Sequence, residues 1–416
     1  MSGAKKRVVV VGGGASGLVA AVAALYGGAA VTLLERGDKV GRKILVSGNG
    51  RCNLTNASAD DWQRYRGANP RFVRNVLGRF GVDEALGFFE GLGLPCVLEG
   101  RGCYYPRSGA AADVVEVLLE EFRELGGVLV NNAQVVELQP GSVWRVIGSK
   151  ESWEAEAVIL SVGGQSAPKT GSAGDGFRLA SQLGHTVLPT SPAIVSLELG
   201  GNLGHFLQGV KLPARVSVPE LELTLGADEL MFTHYGLSGP LILDLSVEVA
   251  GRLAEKPLEL ELDLLPEVED GVVEALLQQR VEAHPKRELG NLLLGMLPRK
   301  VLPALLRQSG IDPLLACSAM DGKLRQRIAR LLKAFTVSCT ATRGWDAAAA
   351  TLGGVSTKEV NPKTLESRLQ PGLYLTGELL DICGECGGYN LQWAWSSGFV
   401  AGENAVSAAQ CAAPPA

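Results

Sequence analysis

At 416 residues the chain is longer than one ordinary core organises, and it predicts two or three folding units. Hydrophobic residues at 46%, charged residues at 20% and a formal charge of −5 exclude a disordered chain, while 53 glycines predict many tight turns and close backbone approaches. Eight irregularly spaced cysteines and four histidines speak against a disulfide framework and against a metal site.

From Val8 to Leu34 no residue is charged, a run long enough to cross a bilayer by the roughly 20-residue criterion. Gly12, Gly13, Gly14, Gly17, Gly27 and Gly28 divide it into a β-branched run, a turn and an alanine-rich run, which argues against a membrane span. Lys5, Lys6 and Arg7 precede too short an apolar stretch for a secretory signal, so a cytoplasmic location is expected. The periods predict a strand over Arg7–Val11, a helix over Ala15–Tyr26 and a strand over Ala30–Leu34, a βαβ unit. Gly12-Gly13-Gly14-Ala15-Ser16-Gly17 fits G-x-G-x-x-G at the strand-to-helix junction. Gly12 serves the tight turn, Gly14 the approach to a pyrophosphate and Gly17 the packing of the helix, whose N-terminus favours an anion. Glu35 closes the second strand, where a carboxylate can accept both hydroxyls of an adenosine ribose and would repel a 2′-phosphate. A dinucleotide site follows, without a choice between NAD and FAD.

Residues 41–56, rich in Gly and Asn, predict a long irregular loop, 69–89 a helix, and 95–105 a hairpin around Glu99-Gly100-Arg101-Gly102. A helix over 113–125 stops at Gly126-Gly127 and is followed by strands at 128–138, 143–148 and 157–162. From about 190 to 265 the pattern becomes short β-rich runs with no long helical period. Residues 266–335 carry leucines at helical spacing, broken by Pro285, Pro298, Pro303 and Pro313, as a small helical insert would. A strand at 372–376 and a helix at 390–404 then return, so the C-terminus is expected to complete the first domain.

Four further segments make the chain recognisable. They are Gly41-Arg42-Lys43-Ile44-Leu45-Val46-Ser47-Gly48-Asn49-Gly50-Arg51-Cys52-Asn53-Leu54-Thr55-Asn56; Gly163-Gly164-Gln165-Ser166 with Gly171 to Gly176; Phe232-Thr233-His234-Tyr235-Gly236-Leu237-Ser238-Gly239-Pro240; and Gly372 to Asp381 continued by Gly387-Gly388-Tyr389-Asn390-Leu391-Gln392-Trp393-Ala394-Trp395. Over nearly its whole length the chain resembles the HI0933-like, or BaiN-like, NAD(P)/FAD-dependent oxidoreductases. The resemblance implies an α/β fold: a Rossmann-like FAD-binding domain over 1–189 and 350–409, a β-barrel-like second domain over 190–265 and 336–349, a helical insert over 266–335, and a tail over 410–416.

It also implies FAD as cofactor, with NAD(P)H as a candidate electron donor. FAD is long, so contacts for adenosine, pyrophosphate, ribityl chain and flavin ring must come from separate parts of the chain. By resemblance these are Gly12, Gly14, Ala15, Ser16, Gly17, Glu35 and Arg36; the loop residues Arg42, Lys43, Gly48, Asn49, Gly50, Arg51, Cys52 and Asn53; Val135 at the adenine; Gly163; Gly377, Glu378 and Asp381 toward the ribityl chain; and Gly388, Tyr389, Asn390 and Leu391, opening a helix toward the flavin N1/O2 edge. Each has an ordinary alternative, such as a strand valine at 135 or a capping residue at Asn390. Ser161-Val162-Gly163-Gly164 departs from the family's Ala-Thr-Gly-Gly-like strand end, and Cys383-x-x-Cys386 is too isolated to read as a redox pair.

Cys52, His234 and Tyr235 are the candidates for acid/base work. The family has been linked to small-molecule redox chemistry and, in some bacterial relatives, to reduction of uridine to dihydrouridine in ribosomal RNA. Residues 280–333 hold eleven Lys and Arg against four Asp and Glu, an excess of seven positive charges on an otherwise acidic chain, so ribosomal RNA stands beside a small-molecule substrate as a candidate partner. Arg64, Arg66, Arg71, Arg74 and Arg79, with Trp62, Tyr65 and Phe72 between them, form a second basic stretch open to the same reading. A non-catalytic flavin sensor or scaffold is the third reading, weakened because no separate output module is visible.

Overall fold

The computed structural model describes residues 5–407, and the tail expected at 410–416 lies outside them. The chain divides into two compact units, one formed by residues up to Pro192 and from Ala349 onward, the other by Ala193–Ala348.

In the first unit the continuous apolar run Val8–Val11 leaves no polar face for water, so both of its faces must be covered. Among the described residues it lies at the centre of a five-stranded parallel sheet ordered Leu373–Leu375, Ala157–Leu160, Arg7–Val11, Ala30–Leu34, Val128–Val130. Helix Ala15–Tyr26 is buried along most of its length. Helix Tyr389–Val406 packs against it almost backbone to backbone: a Cβ added to Gly398 would stand 2.3 Å from the Ser16 carbonyl oxygen, and one on Gly402 2.3 Å from that of Ala20. The strand Leu373–Leu375 and this helix therefore complete a sheet begun at Arg7.

Local expectations give way at several points. The segment 41–56 is ordered, with helix Arg42–Val46, a 3-10 turn at Ser47–Gly50 and strand Thr55–Asn56 paired to Cys103–Pro106. Elements this short fall below any detectable period. The expected helix over 69–89 is two helices, Phe72–Leu77 and Val82–Gly91, because the glycines at 78 and 81 interrupt it and Glu84 caps the second by accepting from the Gly81 N–H at 2.9 Å. The strand expected over 128–138 divides at Asn132, whose φ of 56° turns the chain. Val128–Val130 joins the parallel sheet and Val135–Gln139 an antiparallel one with Trp144–Gly148 and Ser152–Ala155.

In the second unit six antiparallel strands close a barrel among the described residues, in the order Leu197–Leu199, Gly236–Ser238, Leu223–Thr233, Lys211–Val218, Leu258–Asp263, Phe335–Thr342. Alternation fills its interior: Leu212, Ala214, Val216 and Val218 are buried along one strand, Phe335, Val337 and Cys339 along another. Helix Pro240–Leu253 interrupts the stretch that the sequence reads as free of helix. Helices Asp270–Ala283, Val301–Gln308 and Gly322–Lys333 share one hydrophobic core with the barrel through Leu277, Leu305, Ile328 and Leu332.

Candidate functional site

Four connections leave the carboxyl ends of parallel strands on the same edge of the first unit's sheet, the edge where open α/β sheets take their ligands. After Val11, Gly12 adopts φ 102°, and a Cβ there would strike the Ser161 carbonyl oxygen at 2.5 Å. A Cβ on Gly17 would lie 1.9 Å from the Gly12 carbonyl oxygen, so this glycine is what lets the helix sit against the strand. Gly14 differs: a Cβ there meets nothing within 4 Å, and no side chain caps the helix it opens. The turn thus offers an unobstructed backbone face at a helix N-terminus, as a pyrophosphate requires. Ala15 and Ser16 begin that helix.

Glu35 follows the second strand. Its Oε2 accepts from the Gly13 N–H at 2.9 Å and its Oε1 from the Gly37 N–H at 2.7 Å, which fixes the carboxylate beside the turn. The Ala133 N–H donates to the Glu35 carbonyl and the Asn132 N–H to that of Gly37, so Val135 is held close in chain to the same place, itself buried. Arg36 reaches Asp175 at 2.5 Å.

The third and fourth connections meet the loop at 42–53. Lys43 Nζ donates to Glu378 Oε2 at 2.6 Å and to Ser166 Oγ at 2.5 Å. Glu378 Oε1 accepts from Ser166 Oγ and, at 2.7 Å, from Thr351 Oγ1, which in turn accepts from the backbone N–H groups of Gln165 and Ser166. Ser166 and Thr351 are fully buried; Ser166 ends the recognised segment Gly163–Ser166 without a role of its own, and Thr351 stands in no sequence pattern. Gly163, at φ 72°, leads into Ser166, and Gly377, at φ 64°, into Glu378. The Gly377 N–H donates to Ser397 Oγ at 2.9 Å, and Trp393 Nε1 donates to the Gly377 carbonyl at 3.0 Å, which clamps this bend to the C-terminal helix. Ser161 shares a 2.7 Å hydrogen bond with Thr376.

Other basic residues of the loop are held by protein groups. Arg42 donates to the Lys169 carbonyl at 2.8 Å, while Arg51 pairs with Glu99 at 2.5 Å and lies 4.3 Å from the centre of the Tyr105 ring. Gly48, Asn49, Gly50 and Cys52 all take positive φ, so the turn is built from left-handed residues. The Cys52 thiol is fully buried, and burial pushes its pKa up to about 12. It therefore stays protonated, a form that can give a proton but not take one. Asp381, also buried, accepts from the Ala68 N–H at 2.7 Å; burial raises its pKa, opposed by that bond and by one from Gly353. Gly388, at φ 102°, opens helix Tyr389–Val406 with no side-chain cap. Asn390 turns back to Gly384, Tyr389 is buried against Tyr65, and Leu391 is partly buried. Cys383 is fully buried with its pKa raised by that burial, and it forms no disulfide with Cys386.

The remaining acid/base candidates belong to the second unit. Exposed His234 lies 4.9 Å, centroid to centroid, from Tyr235, whose ring faces the Arg343 guanidinium at 4.6 Å. His205, which the sequence did not single out, stands 6.2 Å from His234.

The two basic stretches fare differently. Tyr65 and Phe72 are core residues, Arg64 and Arg66 pair with Glu385, and Arg79 pairs with Glu403, so the stretch at 62–79 presents no aromatic stacking face from these rings. In 280–333, Lys333 is bound by Asp263 and Asp270, and Arg325 by Gln278. A shallow concavity remains along helix Gly322–Lys333, lined by Lys323, Gln326, Arg327, Arg330, Leu331 and Ala334.

The profile of the HI0933-like protein Rossmann domain matches residues 6–404. A 3-dehydro-bile acid delta(4,6)-reductase from Clostridium scindens is 41% identical over 91% of this chain and 93% of its own length. A ribosomal RNA dihydrouridine synthase from Escherichia coli is 32% identical over 92% of this chain and 93% of its own. Among solved structures, a 3-ketosteroid delta1-dehydrogenase from Sterolibacterium denitrificans aligns over 97% of this chain and 100% of its own with a TM-score of 0.51 at 14% identity, a likeness of fold alone.

Proposed function

Since this chain belongs to the HI0933-like family and is a flavin-dependent oxidoreductase, we propose that it reduces a carbon–carbon double bond conjugated to a carbonyl in a small molecule. The glycine turn, open at Gly14 and flanked by the fixed Glu35 carboxylate, is the observation that carries the cofactor reading. When bound, FAD supplies the hydride chemistry. In this reading the backbone at 12–17 binds the pyrophosphate, Glu35 the adenosine ribose, and the Glu378 and Asp381 segments the ribityl chain. The uncapped N-terminus of helix Tyr389–Val406 stabilises negative charge at the flavin N1/O2 edge. The reaction class comes from the relatives: a 3-dehydro steroid with delta(4,6) unsaturation and a uracil ring both present an alkene in conjugation with a carbonyl. Such a substrate gains a hydride at one olefinic carbon and a proton at the other. Tyr235 and His234 are the side chains we assign to that proton, and NAD(P)H is the proposed electron donor.

The test starts with the purified protein, which should release about one FAD per chain on denaturation. Anaerobically reduced holoenzyme should then be reoxidised by a conjugated 3-oxo-4-ene steroid and not by its saturated ketone. Glu35→Ala should weaken FAD retention, because it removes the ribose acceptor. A colourless protein that takes up no FAD would end the cofactor reading, and indifference to both ketones would end the proposed reaction.

A second reading, reduction of uridine in ribosomal RNA, is favoured by the concavity with exposed Lys323, Arg327 and Arg330. A uridine would have to leave its stack to be reduced. Unequal dihydrouridine counts in ribosomal RNA from cells with and without the gene would support it, as would salt-dependent RNA binding that is lost when these three residues become Glu.

A further inference from the structure

The helical part of the second unit exposes apolar side chains that the proposed reaction does not use. Leu294, Leu314 and Leu315 are 40%, 65% and 40% exposed, and Leu314 is the most exposed large hydrophobic residue among those described. Single leucines scattered over a surface need no explanation, but these stand on two adjoining turns. The Leu289 N–H donates to the Leu315 carbonyl and the Gly290 N–H to the Pro313 carbonyl, both at 2.8 Å, which sets the two segments side by side. Neither turn is slack. Leu292, Leu293 and Ile311 are buried in the core of the unit, and Arg280 Nη1 donates to the carbonyls of Leu292 and Leu294 at 3.3 and 3.2 Å. Asp312 Oδ1 accepts from the Leu314 N–H at 2.9 Å. Ordered backbone therefore holds the three leucines outward.

The chain around these turns is basic. Lys286, Arg299, Lys300 and Arg307 are exposed, and among the described residues no ion pair holds them. The four acids of 280–333 bond instead to neutral groups: Glu282 to Gln278, Glu288 to Asn291, Asp312 to the Leu314 N–H and Asp321 to the Leu324 N–H. The seven excess positive charges of this segment thus face outward largely uncompensated, beside the leucines. Both features together narrow the partner. Nucleic acid offers phosphates to the cations but nothing that rewards three outward leucines. An anionic bilayer offers phosphates at its surface and hydrocarbon just beneath, and long Lys and Arg side chains keep their charge at phosphate level while leucines go deeper. We propose that the turns at 288–300 and 312–315 dock the protein on the surface of an anionic phospholipid bilayer. No helix among the described residues is long and apolar enough to cross a membrane, and the proposed contact is with one leaflet. It uses none of the residues given to the cofactor or to the reaction above, so it stands or falls apart from them.

The experiment sediments the full chain with vesicles of phosphatidylcholine alone and of phosphatidylcholine mixed with phosphatidylglycerol. Wild-type protein should pellet with the mixed vesicles and scarcely with the neutral ones. Salt should weaken that binding by screening the cations without abolishing the share due to the leucines. Leu314→Ala should bind the mixed vesicles roughly tenfold more weakly, because most of that side chain is open to water in the free protein. Arg299→Glu combined with Lys300→Glu should weaken binding more than tenfold. Leu369→Ala, which removes a leucine 44% exposed in the first unit, should leave it unchanged. All these positions are at the surface, and circular dichroism checks that each variant folds. Failure of the mixed vesicles to pellet the wild type overturns the proposal, and so does equal binding by wild type and Leu314→Ala. If the vesicles stay unbound while ribosomal RNA binds, or while a dimer forms that Leu314→Ala dissolves, the surface belongs to that partner and not to a membrane.

Discussion

Replacing Gly402 by alanine should destabilise the protein, whereas the same replacement at Gly87 should stabilise it. Both glycines are helical, in Tyr389–Val406 and Val82–Gly91, so each substitution gains about 0.5–1 kcal/mol of helix propensity. At the exposed Gly87 a Cβ meets nothing within 4 Å, and that gain stands alone. At Gly402 the new Cβ would lie 2.3 Å from the Ala20 carbonyl oxygen and 2.8 Å from the Ala23 Cβ, so the two helices must separate by about an ångström. Overpacking of this kind costs roughly 1–3 kcal/mol, and at the upper end of that range, which a 2.3 Å approach to backbone favours, Gly402→Ala is about 2–2.5 kcal/mol less stable than wild type after the propensity gain. For a unit of this size that lowers Tm by several degrees, at about 2–4 °C per kcal/mol, and Gly87→Ala should raise it slightly. Thermal denaturation followed by circular dichroism, with FAD saturating in every sample, measures both. A Gly402→Ala protein as stable as wild type would refute the backbone-to-backbone packing of the two helices. Gly398→Ala, which presses on the Ser16 carbonyl within the dinucleotide helix, should lose FAD affinity in addition.

Two further outcomes test the polar interior. Thr351→Val keeps the side-chain volume but strands the N–H groups of Gln165 and Ser166 and removes a donor from Glu378, so it should cost about 2–4 kcal/mol in urea denaturation, while Thr351→Ser should cost far less. Buried His185 hydrogen-bonds through Nδ1 to Glu359 at 3.2 Å and through Nε2 to Ser367 at 2.9 Å; burial lowers its pKa, with Glu359 opposing. Its folded-state pKa thus lies below the unfolded value of about 6.5, so its contribution is fully present above that pH and is lost as pH falls through it toward the folded pKa. Tm should decline from about pH 7.5 to 5.5, and His185→Gln should flatten that slope.

What could be read from the sequence was whatever repeats over several residues. The first strand, helix and strand have the expected bounds because an all-valine run, a glycine turn and an alanine-rich helix leave one arrangement open. Helix Pro240–Leu253 was invisible for the opposite reason. Leu243, Leu245, Val247 and Val249 alternate with polar residues as in a strand, yet Pro240 starts a helix and the buried set Leu241, Leu245, Val249 and Leu253 repeats every four residues, a tertiary choice between two periods. The division at Asn131-Asn132 was signalled, since adjacent asparagines mark a turn, and the signal was outweighed by flanking valines. In the site, glycines announce themselves because the backbone dictates them, as at Gly12 and Gly17. Thr351 and His205 do not, because their neighbours come from distant segments, and Ser166 was visible only as the end of a recognised segment, not by its contact with Glu378.

The parallel sheet has a consequence for how the chain is made. Ala157–Leu160 pairs on one side with Arg7–Val11 and on the other with Leu373–Leu375, so one of its edges has no partner until more than 200 further residues have been translated. At about 5–20 residues per second the ribosome takes roughly 10–50 seconds to supply that strand and the helix after it. Throughout that interval the nascent chain exposes an apolar strand edge and the small-residue face of the dinucleotide helix, both templates for the wrong partner. The sheet is a late-closing structure, and a chain released before residue 406 would leave the ribosome with its first-made elements still uncovered.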